Sequence, residues 1–159
     1  MLGPLLVRDG QAVVDVPAGR QRVLLAALLM RAGAIVSADA LAEVVWDGAP
    51  PRGAGTTLRS HVSRLRQILG PAVGARVVTR YPGYLIEASE AEVDLLGFRQ
   101  QYREGAAAVR EGDWERAFET LTGALGLWRG EPLADVPSDV LRRDVVPGLE
   151  GLRLQAAEW

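Results

Sequence analysis

The stretch AGTTLRSHVSRLRQIL, residues 54–69, decides the fold of the first half of this chain. Its large apolar residues recur in steps of four, three and four, at Leu58, Val62, Leu65 and Leu69. This spacing places them on one stripe of an α-helix, because residues three and four positions apart share a helix face. We therefore expect a helix that is buried along this stripe and ends at the Gly70-Pro71 pair.

The opposite face of the predicted helix is polar and contains no acidic residue. It carries short hydroxyl side chains, one amide and one guanidinium: Thr56, Thr57, Ser60, Ser63, Arg64 and Gln67. Arginine can pair with guanine in the major groove of DNA, and short side chains let a helix approach the bases closely. The residues alone leave two interpretations open, a DNA-reading face and an ordinary solvated helix face.

The residues before this helix predict a short pair of strands and two more helices. The predicted elements are, in order, strands over residues 2–7 and 12–16 around an Asp9-Gly10 turn, a helix over residues 20–30 followed by Gly33, and a helix capped by Ser37 that ends before Gly48. The first half therefore begins with a small antiparallel sheet and continues with amphipathic helices.

A β-hairpin is predicted after the third helix, over residues 77–86. The Pro82-Gly83 pair between its strands fits a type II turn with glycine at the position of positive φ. Arg80 and Tyr81 lie close to the hairpin tip, where they can reach a groove or a phosphate. Tyr84 is expected in the core or at the hinge of the hairpin rather than at a contact, because aromatic side chains are usually buried.

Strands, three helices and a closing hairpin in this order resemble the winged helix-turn-helix of the response-regulator effector class. More specific motifs resemble the SARP family, the antibiotic-pathway regulators of actinobacteria. These motifs are residues 19–29 (GRQRVLLAALL), residues 36–41 (VSADAL) with Trp46, the Pro50-Pro51 pair, residues 57–66 and the Gly83-Tyr84 pair. The resemblance implies an α+β first domain with a small antiparallel sheet, three helices and a C-terminal hairpin, the wing.

The resemblance also implies roles for individual residues. In the family the third helix is the recognition helix, and Arg64 matches a base-reading arginine of the related effector domains. Arg59 and Arg66 are expected at phosphates, and Arg80 at the DNA backbone or minor groove. His61 is expected to pack or to face phosphate rather than to catalyse. The full set of expected DNA contacts is Arg20, Thr56, Thr57, Arg59, Ser60, His61, Ser63, Arg64, Arg66, Gln67, Arg80 and Tyr81.

The second half of the chain has a helical pattern. The acidic stretch 87–92 is expected to connect the halves, and Asp94 to cap the next helix. Gly105, the turn at residues 112–114 and the apolar spacing beyond it resemble a tetratricopeptide repeat, in which a glycine lets two helices pack closely. A generic helix pair has similar spacing and remains an alternative. A final helix is predicted to open near Pro147.

Residues 128–136, WRGEPLADV, resemble the Trp-Arg-Gly-x-x-Leu-x-Asp stretch of the bacterial transcriptional activation domain, which follows the DNA-binding domain in SARP proteins. The expected organisation is a winged helix-turn-helix domain in residues 1–88 and an all-α, tetratricopeptide-like activation domain in residues 93–159. The apolar pattern of the last helix is unfinished at Trp159, and helical repeats need neighbours. The second domain is therefore expected to be incomplete.

The two halves of the chain differ in net charge. Residues 1–86 contain ten arginines against five acidic residues, a net charge of +5, whereas residues 87–159 contain eight arginines against fifteen, a net charge of −7. A basic first domain is expected to face a polyanion. The chain has no cysteine, no lysine and one histidine, which argues against disulfides, lysine-based catalysis and a metal centre. The longest apolar run, residues 23–30, is too short to cross a membrane, and a cytoplasmic location is expected.

The predicted function is sequence-specific activation of transcription of secondary-metabolite (antibiotic) genes. The resemblance implies binding to short direct repeats in double-stranded DNA near promoters, self-association on DNA and recruitment of RNA polymerase. No enzymatic activity, cofactor or catalytic residue is expected, because the sequence offers no nucleophile with a base and no glycine-rich phosphate loop. The alternative is a protein-interaction adaptor that uses both domains as docking surfaces.

Overall fold

The computed structural model describes residues 1–17 and 19–159. Within these ranges the chain forms short strands and three helices first, then three further helices. The elements are β1 Val7–Asp9, β2 Ala12–Val14, α1 Arg20–Met30, β3 Val36–Ser37, α2 Ala38–Val45, α3 Ala54–Gly74, β4 Val77–Arg80, β5 Gly83–Ile86, α4 Asp94–Glu111, α5 Trp114–Gly126 and α6 Asp139–Glu158. The predicted fold class, a winged helix-turn-helix followed by an all-α domain, is confirmed.

The first domain is built around the apolar stripe of α3. Its four large side chains are at most 2% exposed and belong to one contiguous core: Leu58, Val62, Leu65 and Leu69. Through this stripe α3 packs against α1 and α2. A fully buried side chain of this size stabilises a fold by roughly 1.5–3 kcal/mol, so the stripe makes a large contribution to the stability of the domain.

The end of the buried stripe coincides with a kink in α3. Gly70 has non-helical backbone angles, φ 82° and ψ 173°, and a short helical segment containing Pro71 continues to Gly74. Glycine adopts a positive φ without the steric cost that a side chain imposes. The regular part of α3 therefore ends after Leu69, where the sequence predicted it.

A three-stranded antiparallel sheet in the order β3-β5-β4 completes the first domain. The hairpin of β4 and β5 was predicted, whereas β3 was not, because two residues carry no detectable periodicity. Ser37 of β3 pairs with Gly83. The Oγ of Ser37 also accepts a hydrogen bond from Ala40 N at 3.1 Å and caps α2 as predicted. The first two strands form a separate antiparallel pair.

The turn of the wing differs from the predicted type II turn. Tyr81 and Pro82 form the turn, and Gly83 is already the first residue of β5, without a positive φ. A Cβ atom on Gly83 would collide with the carbonyl oxygen of Val36 on β3. Glycine is therefore required at this position by the close approach of two strands rather than by the turn itself.

The second domain begins with a closely packed helix pair. Gly112 ends α4 with a φ of 76°, and Asp113 caps α5 by accepting a hydrogen bond from Arg116 N at 3.2 Å. A Cβ atom on Gly105 would lie 2.6 Å from the side chain of Leu121. Gly105 therefore lets α4 and α5 approach each other, as its place in the sequence predicted.

The last helix, α6, starts earlier than predicted. Ser138 caps it by accepting a hydrogen bond from Leu141 N at 3.2 Å, and Pro147 lies inside the helix. The prediction took Pro147 for the helix start, because proline is favoured in the first turn and disfavoured further inside. Pro147 lies on the exposed side of α6, where water can bind the carbonyl group that loses its helical partner.

The two domains meet at the N-terminal segment of the chain. Arg129 N donates a hydrogen bond to Leu2 O at 2.7 Å, and Leu5 N donates one to Asp135 at 2.7 Å. The guanidinium of Arg22, on α1, also lies 3.3 Å from the carboxylate of Asp135. The motif WRGEPLADV thus binds the N-terminal segment and α1 through hydrogen bonds and an ion pair. Residues 1–5, predicted to belong to the first domain alone, lie at the junction.

Asp94 has a different role from the predicted cap. It is the first residue of α4, whose N-cap is Val93. Its carboxylate accepts hydrogen bonds from Leu95 N at 2.7 Å and from Leu2 N at 2.9 Å, and it lies 3.5 Å from the guanidinium of Arg129. Asp94 therefore joins the start of the second domain to the N-terminal segment, which sequence spacing does not reveal.

We expect Gly105→Ala to lower the free energy of unfolding by about 1–3 kcal/mol, because the added methyl group must displace the buried Leu121. Gly126→Ala is the matched control, since no atom lies within 4 Å of a Cβ placed there. It is expected to raise the stability by up to about 1 kcal/mol. Urea denaturation of both variants measures the difference, and equal stability of the two would contradict the close helix contact.

Candidate nucleic-acid interface

The outer face of α3 is exposed along its whole length. All six residues predicted there are exposed: Thr56, Thr57, Ser60, Ser63, Arg64 and Gln67. The hydroxyl groups of Thr57 and Ser60 make only long hydrogen bonds to backbone carbonyl groups of the helix, at 3.4 and 3.5 Å. Their oxygens therefore remain available as acceptors for an outside partner.

The interface carries a strong positive charge. No acidic residue occurs between Asp47 and Glu87, whereas six arginines lie in this range: Arg52, Arg59, Arg64, Arg66, Arg76 and Arg80. Arg59 and Arg64 are exposed, and neither forms an ion pair with any residue in the described ranges. Guanidinium groups that are free of protein partners are suited to phosphate or base contacts.

Arg66 has a structural role in addition to the phosphate contact that was predicted for it. Its Nε donates a hydrogen bond to Val77 O at 2.8 Å, and another nitrogen of its guanidinium donates one to Thr79 Oγ1 at 3.0 Å. Both acceptors belong to β4, the first strand of the wing. Arg66 therefore ties α3 to the wing and fixes the distance between them. The sequence could not show this, because the partners lie eleven and thirteen residues away.

The tip of the wing presents two exposed side chains. Tyr81 is 96% exposed, and Arg80 makes one local hydrogen bond, to Thr79 O at 3.2 Å. Tyr84, in contrast, is 7% exposed and packs in the core as predicted. An aromatic ring that is so fully exposed beside an arginine can lie against a sugar or phosphate of DNA.

A polar aromatic cluster joins the three helices of the first domain. The guanidinium of Arg20 lies 5.5 Å from the centre of the Trp46 ring, and the His61 ring centre lies 5.7 Å from the same ring. Gln21 Nε2 lies 3.1 Å from His61 Nδ1. The contact with Trp46 thereby orients the guanidinium of Arg20. His61 is a packed side chain on the inner edge of α3.

The surroundings of His61 disfavour its charged form. Burial lowers its pKa below the ordinary value of 6.5, and the positive charges of Arg20 and Arg64 lower it further. The Nε2 atom is buried and has no hydrogen-bond partner within the described ranges. A charged imidazolium would be unfavourable at this position.

The predicted set did not include Arg52, an exposed arginine beside α3. Arg52 follows the Pro50-Pro51 pair and precedes Gly53, the N-cap of α3. The N-terminus of a helix favours phosphate, because its first N–H groups have no helical acceptor. The position of Arg52 directly before the predicted recognition helix was the signal that could have found it.

Comparison with known proteins gives the family of both domains. The family described as "Transcriptional regulatory protein, C terminal" matches residues 17–86, and the family described as "Bacterial transcriptional activator domain" matches residues 93–159. The chain is 31% identical to the regulatory protein DnrI of Streptomyces peucetius, over 99% of the chain and 61% of DnrI. It is 33% identical to the regulatory protein AfsR of Streptomyces griseus, over 100% of the chain and 15% of AfsR. The chain belongs to the SARP family of transcriptional regulators.

A solved structure supports the SARP assignment. The chain matches that of EmbR from Mycobacterium tuberculosis, in complex with a low-affinity phosphopeptide, with a TM-score of 0.87 and 30% identity. The match covers 98% of this chain and 42% of the EmbR chain. The SARP chain thus spans less than two thirds of each of these relatives. All of them are described as regulatory proteins rather than as enzymes.

The described part of the SARP chain adds two observations about other kinds of site. It contains no group of three or more acidic or histidine side chains that could hold a metal ion. It also contains no helix that is long and apolar enough to cross a membrane.

We expect Arg66→Ala to lower the free energy of unfolding of the SARP chain by about 1–3 kcal/mol, because two charge-assisted hydrogen bonds to β4 are lost. Arg59→Ala is the control on the same helix, since Arg59 is exposed, and it is expected to change stability by less than about 0.5 kcal/mol. Thermal or urea denaturation without DNA separates the two. Equal effects would show that Arg66 does not hold the wing.

Lowering the pH is expected to destabilise the SARP chain through His61. The folded pKa lies below the unfolded value of 6.5, so the unfolded chain binds the proton more readily. The free energy of unfolding should therefore be highest above pH 6.5 and fall as the pH drops from there to the lowered folded pKa. Denaturation over this range should show a shallower pH dependence in His61→Gln. An identical pH dependence in the variant would refute the assignment.

Proposed function

We propose that this chain is the DNA-binding and activation part of a sequence-specific transcriptional activator. The observation that carries the proposal is the exposed, acid-free face of α3 with Arg64 at its centre. The proposed partner is double-stranded DNA, with α3 in the major groove and the wing against the adjacent backbone or minor groove. The proposed place of action is the bacterial cytoplasm.

The geometry supports different tasks for the exposed residues. Arg64 projects from the middle of α3 and is proposed to read a base edge, because a guanidinium can donate two hydrogen bonds to guanine. The short side chains around it, Thr57, Ser60 and Ser63, allow a close approach. Arg59 is proposed at a phosphate, where it contributes affinity without sequence information.

The remaining expected contacts surround this centre. Thr56 and Gln67 are proposed at the two ends of the groove contact, and Arg80 and Tyr81 at the wing. Arg20 is proposed at a phosphate beside α3, since Trp46 holds its guanidinium. His61 supports the helix from its inner edge and contributes packing.

The second domain is proposed to supply activation. With its connector, residues 87–159, it carries a net charge of −7, which makes it unsuited to DNA, so it leaves binding to the basic domain and is free to contact protein. We propose that it recruits RNA polymerase and helps copies of the protein associate on short direct repeats near promoters. Genes for a secondary metabolite such as an antibiotic are the proposed targets, on the strength of the family.

The experiment is selection of bound fragments from a pool of random duplexes, sequenced at two salt concentrations. Enrichment of a repeated short motif is expected. Arg64→Ala should lose about 1–3 kcal/mol on the selected sequence and relax the preference at one base position. Arg80→Ala is the comparison, because loss of a backbone contact should weaken selected and random duplexes alike and flatten the salt dependence.

Three results would count against the proposal in different ways. Equal losses for Arg64→Ala on selected and random duplexes would refute base reading by Arg64. Salt-sensitive binding without an enriched motif would leave a basic domain with general phosphate affinity. The absence of duplex binding by the folded chain would favour the protein-interaction adaptor instead.

A further inference from the structure

A cavity of about 570 Å³ lies where the two domains meet. Its walls come from the N-terminal segment, α1, the end of α3, the connector and the start of α4. The DNA-facing residues of α3 do not line it. The volume falls within the range of about 300–1,000 Å³ that is usual for small-molecule sites, and such sites occur preferentially at domain interfaces.

The walls of this junction cavity are mainly apolar. Leu25 and Leu69 are buried at 2% exposure, while Leu5, Leu29 and Val73 are only half-buried. Leu6, which also lines the cavity, is 42% exposed. When an apolar molecule covers apolar side chains that line a concave space and are open to water, the free energy of the system falls.

The charged groups around the junction cavity are largely neutralised by each other. Arg76 forms an ion pair with Glu92, and the carboxylate of Asp94 lies 3.2 Å from the Met1 ammonium and 3.5 Å from Arg129. The remaining charged residues of the lining are exposed, one basic and two acidic: Arg8, Asp9 and Glu87. No unbalanced positive charge faces the cavity, so it is not suited to an anion. A ligand without charge avoids the cost of losing its hydration there.

We propose that the junction cavity binds a neutral, predominantly apolar small molecule, and that the bound molecule holds the two domains together. The second part follows from the walls, because Leu25 and Leu69 belong to the first domain while Val93 leads into the second. A molecule that contacts both sides is lost when the domains separate. Binding therefore stabilises the joined form.

The test uses N-phenyl-1-naphthylamine, a neutral aromatic amine whose fluorescence rises in apolar surroundings. Titration of the chain with this probe should give saturable binding of one molecule. Ala72→Trp and Ala88→Trp each place a large side chain in the cavity from a different segment. Each should weaken binding by about tenfold or more, which corresponds to about 1.4 kcal/mol.

Two controls locate the bound probe. Ala91→Trp introduces the same side chain at an exposed connector position outside the cavity lining. Phe118→Ala removes a 73% exposed ring from α5, a further surface to which an aromatic probe could bind. Both controls should bind the probe with the affinity of the unmodified chain. Circular dichroism checks that each variant is folded. The two cavity variants lie on different segments of the chain, so each tests the site independently of the other.

Thermal unfolding tests the effect on the domains. The probe should raise the unfolding midpoint of the unmodified chain and of Ala91→Trp, but not that of a cavity-filled variant. The proposed site would be wrong if the folded chain showed no saturable binding of the probe. It would also be wrong if Phe118→Ala lost binding while Ala72→Trp and Ala88→Trp kept it. Binding without a rise in the midpoint would overturn the bridging of the domains. None of these measurements uses DNA, so they stand or fall independently of the proposed function.

Discussion

Burial of one face of α3 is the constraint on which the rest of the structure depends. Four large side chains on that face are inserted into the core between the helices of the first domain, and this fixes the rotation of α3 about its own axis. Once the rotation is fixed, the polar residues opposite must face outward. The stripe thus orders the core and presents Arg64, and Gly70 ends the helix where the stripe ends.

Two sets of contacts hold the exposed face of α3 in a fixed position relative to the wing and to the other two helices of the first domain. Arg66 links α3 to the first strand of the wing, so the helix and the wing tip form one surface. At the other side Trp46 packs between Arg20 and His61 and joins the three helices. A preformed surface loses less conformational entropy when it binds a rigid duplex, which improves affinity without adding contacts.

The second domain is joined to the first more intimately than the charge difference suggests. The two halves of opposite charge share one contiguous core, and the backbone of the N-terminal segment is held by Asp94, Arg129 and Asp135. These three residues are polar and lie in a helix start and a loop, where they would ordinarily be assigned to capping or to solvent. Their position at the junction fixes the contact between the two domains, and Asp94 and Arg129 also line the cavity there.

The sequence by itself determined the elements whose signals are local. The stripe of α3, the Ser37 cap and the hairpin strands follow from spacing or from steric rules that act within a few residues, and the close-packing Gly105 follows from the resemblance to a repeat. It also determined which residues face outward from α3, since a helix has one period. The tertiary structure alone decided what depends on distant partners. It placed Arg66 on the wing, Asp94 on the N-terminal segment and Gly83 against β3, and it moved the start of α6 from Pro147 to Asp139. The physical reason is that a side chain's local propensity is weak, whereas a hydrogen bond or a close backbone approach to a distant segment is specific and appears only when the chain has folded.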